Sequence, residues 1–339
     1  MNTSTEFLPA SALRQLCNAF AKPQWPRAVW QLLNTLPVFL LLWALMAKSI
    51  DWGYGYTLLL AIPTAGLYVR LFIFQHDCGH GSFLGKQRLN DLIGSFLGLL
   101  TLFPYGYWKK THNLHHGTSG NLDRRAIGDI DTLTVDEYQA KRWWQRLSYR
   151  LYRHPAVMLG LGPLWQFVIK HRFPFDLPRS FKQEWRSVMA NNLLLLVVGG
   201  SIAYALGWQR VVLVHLPIVL IAGAIGVWLF YCQHQFEGAY WRREAEWDAA
   251  DAALRGSSYF DLPRWLHWFT GNIGYHHIHH LASRIPNYRL REAFESSPLL
   301  QIAPRLTLWT SLRCARLKLW DEAAGRLVGF PRRRRLAAA

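Results

Sequence analysis

The sequence predicts an all-α integral membrane protein, with four transmembrane helices in two hairpins and a cytoplasmic helical cap that holds a histidine-rich di-metal site. Three observations predict it. Four long apolar runs lie near residues 28–50, 56–75, 190–207 and 211–232. Histidines crowd into three boxes: His76-Asp77-Cys78-Gly79-His80, His112-Asn113-Leu114-His115-His116 and His276-His277-Ile278-His279-His280. Lysine and arginine concentrate in the segments that carry these boxes and are scarce in the two short links between paired runs.

The 339 residues are 51% apolar, 14% aromatic and only 17% charged. The apolar residues form unbroken runs, with Arg70 the main exception, rather than amphipathic stripes. Each run reaches the ~20 residues that cross a hydrocarbon core at ~1.5 Å rise. Buried helices of a soluble core seldom run apolar for that length several times in one chain. More than twenty mostly polar residues precede the first run and no small-residue cleavage site follows it, so it reads as an anchor rather than a signal peptide. A formal charge of +17 fits basic loops facing anionic lipid, with no nucleic acid as partner. Cys17, Cys78, Cys232 and Cys314 show no paired spacing, which fits a reducing compartment and no disulfide.

Taken in order, residues 1–26 are polar with scattered apolar positions and belong at the membrane surface. The link at 51–55 is too short for anything but an antiparallel hairpin, and the second span runs straight into His76. Residues 92–107 are apolar but broken by Gly94, Gly98, Pro104 and Gly106, which predicts one helix entering partway or lying along the interface. The second box follows. Residues 121–183 are polar and basic, with a weaker apolar patch at 155–168 that predicts an interfacial helix. The second hairpin turns at 207–210, and its last span ends at Gln233-His234-Gln235-Phe236-Glu237. Beyond it the chain is soluble in character and closes on Arg332 to Arg335, read as a lipid-facing tail or a disordered one. The positive-inside rule places both termini, and segments 76–189 and 233–339, in the cytoplasm, the whole of 1–339 forming a single domain. All three boxes and His234 then fall on one side.

On a helix, positions i, i+3 and i+4 share a face, so each box aims imidazoles at a common point. Neutral imidazole is the commonest metal ligand and suits iron, zinc, copper and nickel. His76, His80, His112, His115, His116, His234, His276, His279 and His280 make nine candidates, too many for one ion. Two metals are implied. Paired Glu-x-x-His motifs of carboxylate-rich di-iron bundles are missing, and so is the HExxH of zinc proteases. His277 projects ~100° from His276 and is given a supporting role. Isolated His154, His171 and His267 are read as surface or interfacial residues. His215 lies about 28 Å along its helix from His234 and is read as structural. A metal transporter would carry its histidines near the bilayer midplane, whereas these sit beyond the ends of the spans.

The three boxes resemble those of the membrane-bound fatty acid desaturase and hydroxylase superfamily. Residues 56–295 carry the resemblance, and the segment 256–288, residues 233–237 and the box-one sequence 76–80 are similar to the acyl-lipid, omega-6 (Δ12) type of bacteria and plastids. The resemblance implies two iron ions held by the nine histidines, O2 as co-substrate, and a cis double bond introduced into a fatty acyl chain. The acyl carrier stays open: lipid, CoA, ACP or free acid. Hydroxylation, acetylene formation and decarboxylation to a terminal alkene start from the same hydrogen abstraction and stand as alternatives. No asparagine stands one turn before His234, where animal acyl-CoA desaturases place a water-linked ligand. Asp77 is expected to orient a ligand imidazole by accepting its second N–H, and Trp108, Trp228 and Trp268 are aromatic candidates for an acyl tunnel. His154-Pro155 lacks the glycines of a fused haem domain, so electrons come from a separate ferredoxin or cytochrome b5-like carrier. A bacterial inner membrane is the expected location.

Overall fold

The computed structural model describes residues 10–125 and 127–331; the arginine tail and the first nine residues lie outside the described residues. Helix α1 (Ala10–Asn18) packs on the histidine-bearing cap through Leu13 and Cys17. Two long helices follow, α2 (Trp25–Ser49) and α3 (Tyr54–Gly79), both apolar and long enough to cross a membrane. Helix α3 is the centre of the bundle: 61% of its most apolar window is buried inside the protein. Its last turn, Gln75 to Gly79, is also buried and carries the first histidine box out of the apolar layer.

The stretch at 92–107 is two helices, not one. Helix α4 (Gln87–Leu100) and α5 (Tyr105–Thr118) fold back on each other around Thr101–Pro104. Pro104 has no N–H to extend α4 and disfavours helical geometry at the residue before it; Leu102 takes φ 58° to complete the reversal.

Two short helices, α6 (Val135–Ala140) and α7 (Trp143–Tyr152), lead to the helical segment α8 (Val157–Lys170). A helix therefore forms over the apolar patch, with π-type turns on either side of Pro163, whose ring interrupts the regular hydrogen-bond ladder. Trp165 and Val168 remain exposed while Phe167 packs inward.

The second long pair is α9 (Lys182–Leu206) and α10 (Trp208–His234), again membrane-spanning by length and composition. Only 11% of the α9 window is buried, so Leu193, Leu196 and Val197 face outward as a lipid-facing surface does. Gly207 joins the pair at φ 87°, which side chains with a Cβ rarely adopt. The two hairpin tips are tied together by Arg210, which pairs with Asp51 at 2.6 Å.

Beyond α10 lie α11 (Ala249–Arg255), α12 (Arg264–Phe269), α13 (His276–Leu281), α14 (Asn287–Glu295) and α15 (Leu308–Ser311). Two small sheets interrupt this helical cap. Strand β1 (Tyr259–Asp261) pairs in parallel with β2 (Arg305–Thr307), and β3 (Leu319–Asp321) pairs antiparallel with β4 (Arg326–Val328). Three-residue strands are too short to print an alternation in sequence, which is why the sequence alone reads as all helix.

Two histidines read as surface residues are buried. His171 sits among Phe103, Tyr107 and Phe167, and His267 stacks on Tyr275 at 4.9 Å. Isolation in sequence says nothing about neighbours supplied by other helices. His154 is exposed as expected.

Candidate metal centre

Four separate elements deliver the nine histidines to one place. His76 is in the last turn of α3 and His80 caps it; α5 carries His112, His115 and His116; α10 ends on His234; α13 carries His276, His279 and His280. They sort into two groups. His76, His80, His112, His116 and His279 form one, and His115, His234, His276 and His280 the other, with the ligand atoms of each group within 4.8 Å of one another. The groups adjoin, since His116 and His280 stack with ring centroids 4.1 Å apart.

Helix geometry explains the sorting. In both HxxHH boxes the first and last histidines are four apart and share a face, while the third projects ~100° away from the last. His112 and His116 join the first group and His115 the second; His276 and His280 join the second and His279 the first. A box of this spacing straddles the two groups, whereas the HxxxH of α3 contributes to one.

Nitrogens in each group converge as ligands do. Nε2 atoms stand 3.1 Å apart for His112 and His116, 3.0 Å for His116 and His279, 3.2 Å for His115 and His234, and 2.9 Å for His234 and His276. Adjacent ligands on ~2.0–2.1 Å metal–nitrogen bonds stand at about this separation. Nε2 of His76, His80 and His280 is buried and finds no partner within the protein, a state that is expensive unless something else accepts its lone pair. Burial, reinforced by the neighbouring imidazoles, holds His112, His116, His276, His279 and His280 well below the usual histidine range. They are neutral at physiological pH, the state in which imidazole binds metal. The donor set therefore fits two ions. Five nitrogens in one group exceed the four of a structural zinc site.

Groups behind the imidazoles fix which nitrogen faces inward. Asp77 lies 3.1 Å from His76 Nδ1, and its other oxygen accepts both the backbone N–H and the side-chain amide of Asn287, at 2.6 and 2.8 Å. Asn287 in turn exchanges two hydrogen bonds with Gln31 of α2. His234 Nδ1 lies 3.1 Å from the Gly256 carbonyl, and His115 Nδ1 is bonded to Asp129. Such partners set the tautomer and ring orientation of ligating histidines.

Asp129, Asn287 and Gln31 are additions that sequence reasoning misses. Asp129 follows His115 by fourteen residues in a loop with two other acids, Asp123 and Asp131, and nothing local distinguishes it. His277 belongs to neither group; its Nε2–H donates to the Leu300 carbonyl at 2.8 Å. Trp108 stacks on His112 at 4.5 Å, so it borders the site. Trp228 instead bonds Ser311, and Trp268 lies under the Arg70 guanidinium, 4.1 Å from its ring centre. Phe230 stands one turn before His234 and packs against His115 and His234 at 5.0 and 5.4 Å.

The approach to α13 is held tightly. The Phe260 N–H donates to the Gly274 carbonyl at 2.7 Å. A Cβ on Gly274 would stand 2.4 Å from the Phe260 carbonyl oxygen, so a side chain there is excluded by sterics.

Comparison with known proteins agrees with this arrangement. Residues 51–301 match the family model described as Fatty acid desaturase. A Bacillus subtilis protein named fatty acid desaturase is 45% identical over 312 residues, covering 92% of this chain and 88% of that one. An sn-1 oleoyl-lipid 12-desaturase of Synechocystis is 28% identical over 241 residues, 66% of this chain and 63% of its own. An sn-1 acyl-lipid omega-3 desaturase (ferredoxin) of the same organism is 28% identical over 268 residues, 75% of this chain and 71% of its own.

Proposed function

This chain belongs to the fatty acid desaturase family, and we propose that it works as a di-iron, O2-dependent enzyme introducing a cis double bond into the acyl chain of a membrane lipid. The observation that carries the reading is the pair of adjoining histidine groups, five and four strong, at the ends of membrane-spanning helices. Iron bound there supplies the one-electron chemistry that lets O2 oxidise an unactivated C–H bond. The reaction balances as –CH2–CH2– plus O2, two electrons and two protons giving –CH=CH– and two waters.

The protein's own residues have three tasks. Asp77, Asp129 and the Gly256 carbonyl each accept an Nδ1–H, which points the Nε2 lone pairs of His76, His115 and His234 inward. Burial keeps His112, His116, His276, His279 and His280 neutral and so able to bind metal. An acyl methylene offers no polar handle, so the chain must be held by shape alone; Trp108, flat against His112, is suited to one wall. The acyl-lipid form of the substrate and a ferredoxin-type donor follow the names of the cyanobacterial relatives. With the cap and both termini cytoplasmic in a bacterial inner membrane, a soluble reductant has access to the cluster.

Gas chromatography of lipids from an expressing host tests this. New cis-unsaturated acyl chains are expected, absent with His115→Ala. Hydroxy acids or terminal alkenes as the sole new products, or an unchanged profile, overturn it.

A further inference from the structure

Electrons for this reaction come from a soluble carrier, and the surface contains a place suited to receive one. A pocket of about 320 Å³ opens between the α1–α2 linker, the α3–α4 loop and the turn after α13, lined by Ala21, Pro23, His80, Gly81, Gly85, Gln87 and Arg284. His80 is a member of the five-histidine group and is partly exposed. The opening beside His115 and His234 is far smaller, with room of about 10 Å³, roughly that of one water.

One cation lines the larger pocket and two more flank its lining residues in sequence. Arg284 lines it; Lys22 stands between Ala21 and Pro23, and Lys86 between Gly85 and Gln87, all three exposed. Among the described residues none of these cations pairs with a carboxylate. Some other surface arginines are paired, Arg243 with Asp123 and Glu322 and Arg291 with Glu295, while Arg179 and Arg313 are exposed and line neither opening. Unpaired cations at and beside a polar opening steer and orient an acidic partner.

We propose that this pocket is the docking surface for the acidic face of a small soluble one-electron carrier, with His80 as the group through which electrons reach the histidine cluster. The inference rests on the desaturase reading and adds where its reductant binds. Two carrier molecules dock in turn for each double bond, each oxidised by one electron.

The test uses the metal-loaded chain in lipid nanodiscs, with a reduced plant-type [2Fe–2S] ferredoxin as probe donor; the reference that needs no docking is the chain reduced anaerobically by dithionite, freed of excess reductant and then given O2. The triple variant Lys22→Glu, Lys86→Glu, Arg284→Glu is expected to raise the KM for ferredoxin about tenfold at low salt and to flatten its salt dependence. The ratio of ferredoxin-driven turnover to the single-turnover product of the dithionite-reduced chain falls to match. The control Arg179→Glu, Arg313→Glu, exposed cations lining neither opening, keeps the ratio. Should the triple variant fail to fold, Lys86→Gln and Arg284→Gln singly are expected to raise ferredoxin KM about two- to threefold. An unchanged ferredoxin KM overturns the proposal. So does a rise in acyl-lipid KM in its place, which would make the pocket a headgroup site. A wild-type chain that desaturates with neither reductant sinks the desaturase reading itself, a distinct result.

Discussion

Single side chains decide whether the histidines are ligands or merely neighbours. Asp129 bonds Nδ1 of His115, and the second histidine group has only four members, so it has little redundancy. Asp129→Asn should lower metal retention or activity by about ten- to a hundredfold, the usual penalty for removing a carboxylate behind a ligating histidine. Metal analysis of the purified variant, beside Asp123→Asn as a control from the same loop, reads this directly; retention within twofold of wild type would show that Asp129 is incidental. Asn287 makes a related link, holding Asp77 while bonded to Gln31 of the first span. Asn287→Ala leaves buried polar groups on both sides unpaired and should destabilise the fold by about 1–3 kcal/mol, seen as an earlier thermal transition in detergent. The nine histidines were legible in sequence because metal-ligand spacing is a local pattern. Asp129, Asn287 and Gln31 were not, since their meaning comes from contacts across long sequence separations.

Elements matter through the angles they hold. The two HxxHH boxes sit on different helices, yet each sends an i, i+4 pair to one group and its middle histidine to the other. Displacing α13 should therefore empty both sites at once, whereas losing His234 strips only one. Gly274→Ala drives a Cβ against the Phe260 backbone and forces α13 to shift. We expect both metals to be lost and activity with them, while Gly199→Ala in α9, where nothing lies within 4 Å, is neutral or slightly stabilising by up to ~1 kcal/mol. Metal stoichiometry of the two variants makes the check; full loading of Gly274→Ala would show that α13 tolerates displacement. At this scale the long helices were readable from hydropathy, because the bilayer imposes a length. The break at Pro104, the π turns of α8 and the three-residue strands were not, being settled by tertiary packing rather than by periodicity.

For the whole molecule, the account requires one face of the bundle to carry all the chemistry. The hairpin tips at Trp52 and Trp208 lie at the end opposite the histidines, joined by the Asp51–Arg210 pair. All four native cysteines are buried and unpaired, which gives a quiet background for labelling. In intact spheroplasts a membrane-impermeant maleimide should label Trp52→Cys, and should reach Arg124→Cys in the cap only after lysis. The reverse pattern would invert the topology and deny a cytoplasmic carrier access to His80. Orientation was inferred from the distribution of lysine and arginine, a property of the whole chain that no single residue displays.

The central claim is that nine imidazoles from four elements hold two iron ions side by side. Iron analysis combined with X-ray absorption on the purified, iron-loaded chain tests it most directly. The account predicts two irons per chain in a nitrogen-dominated environment, falling to about one when His234 and His276 are both replaced by alanine, because those two belong to the same group. A single iron per wild-type chain, or a shell dominated by carboxylate oxygen, would contradict it.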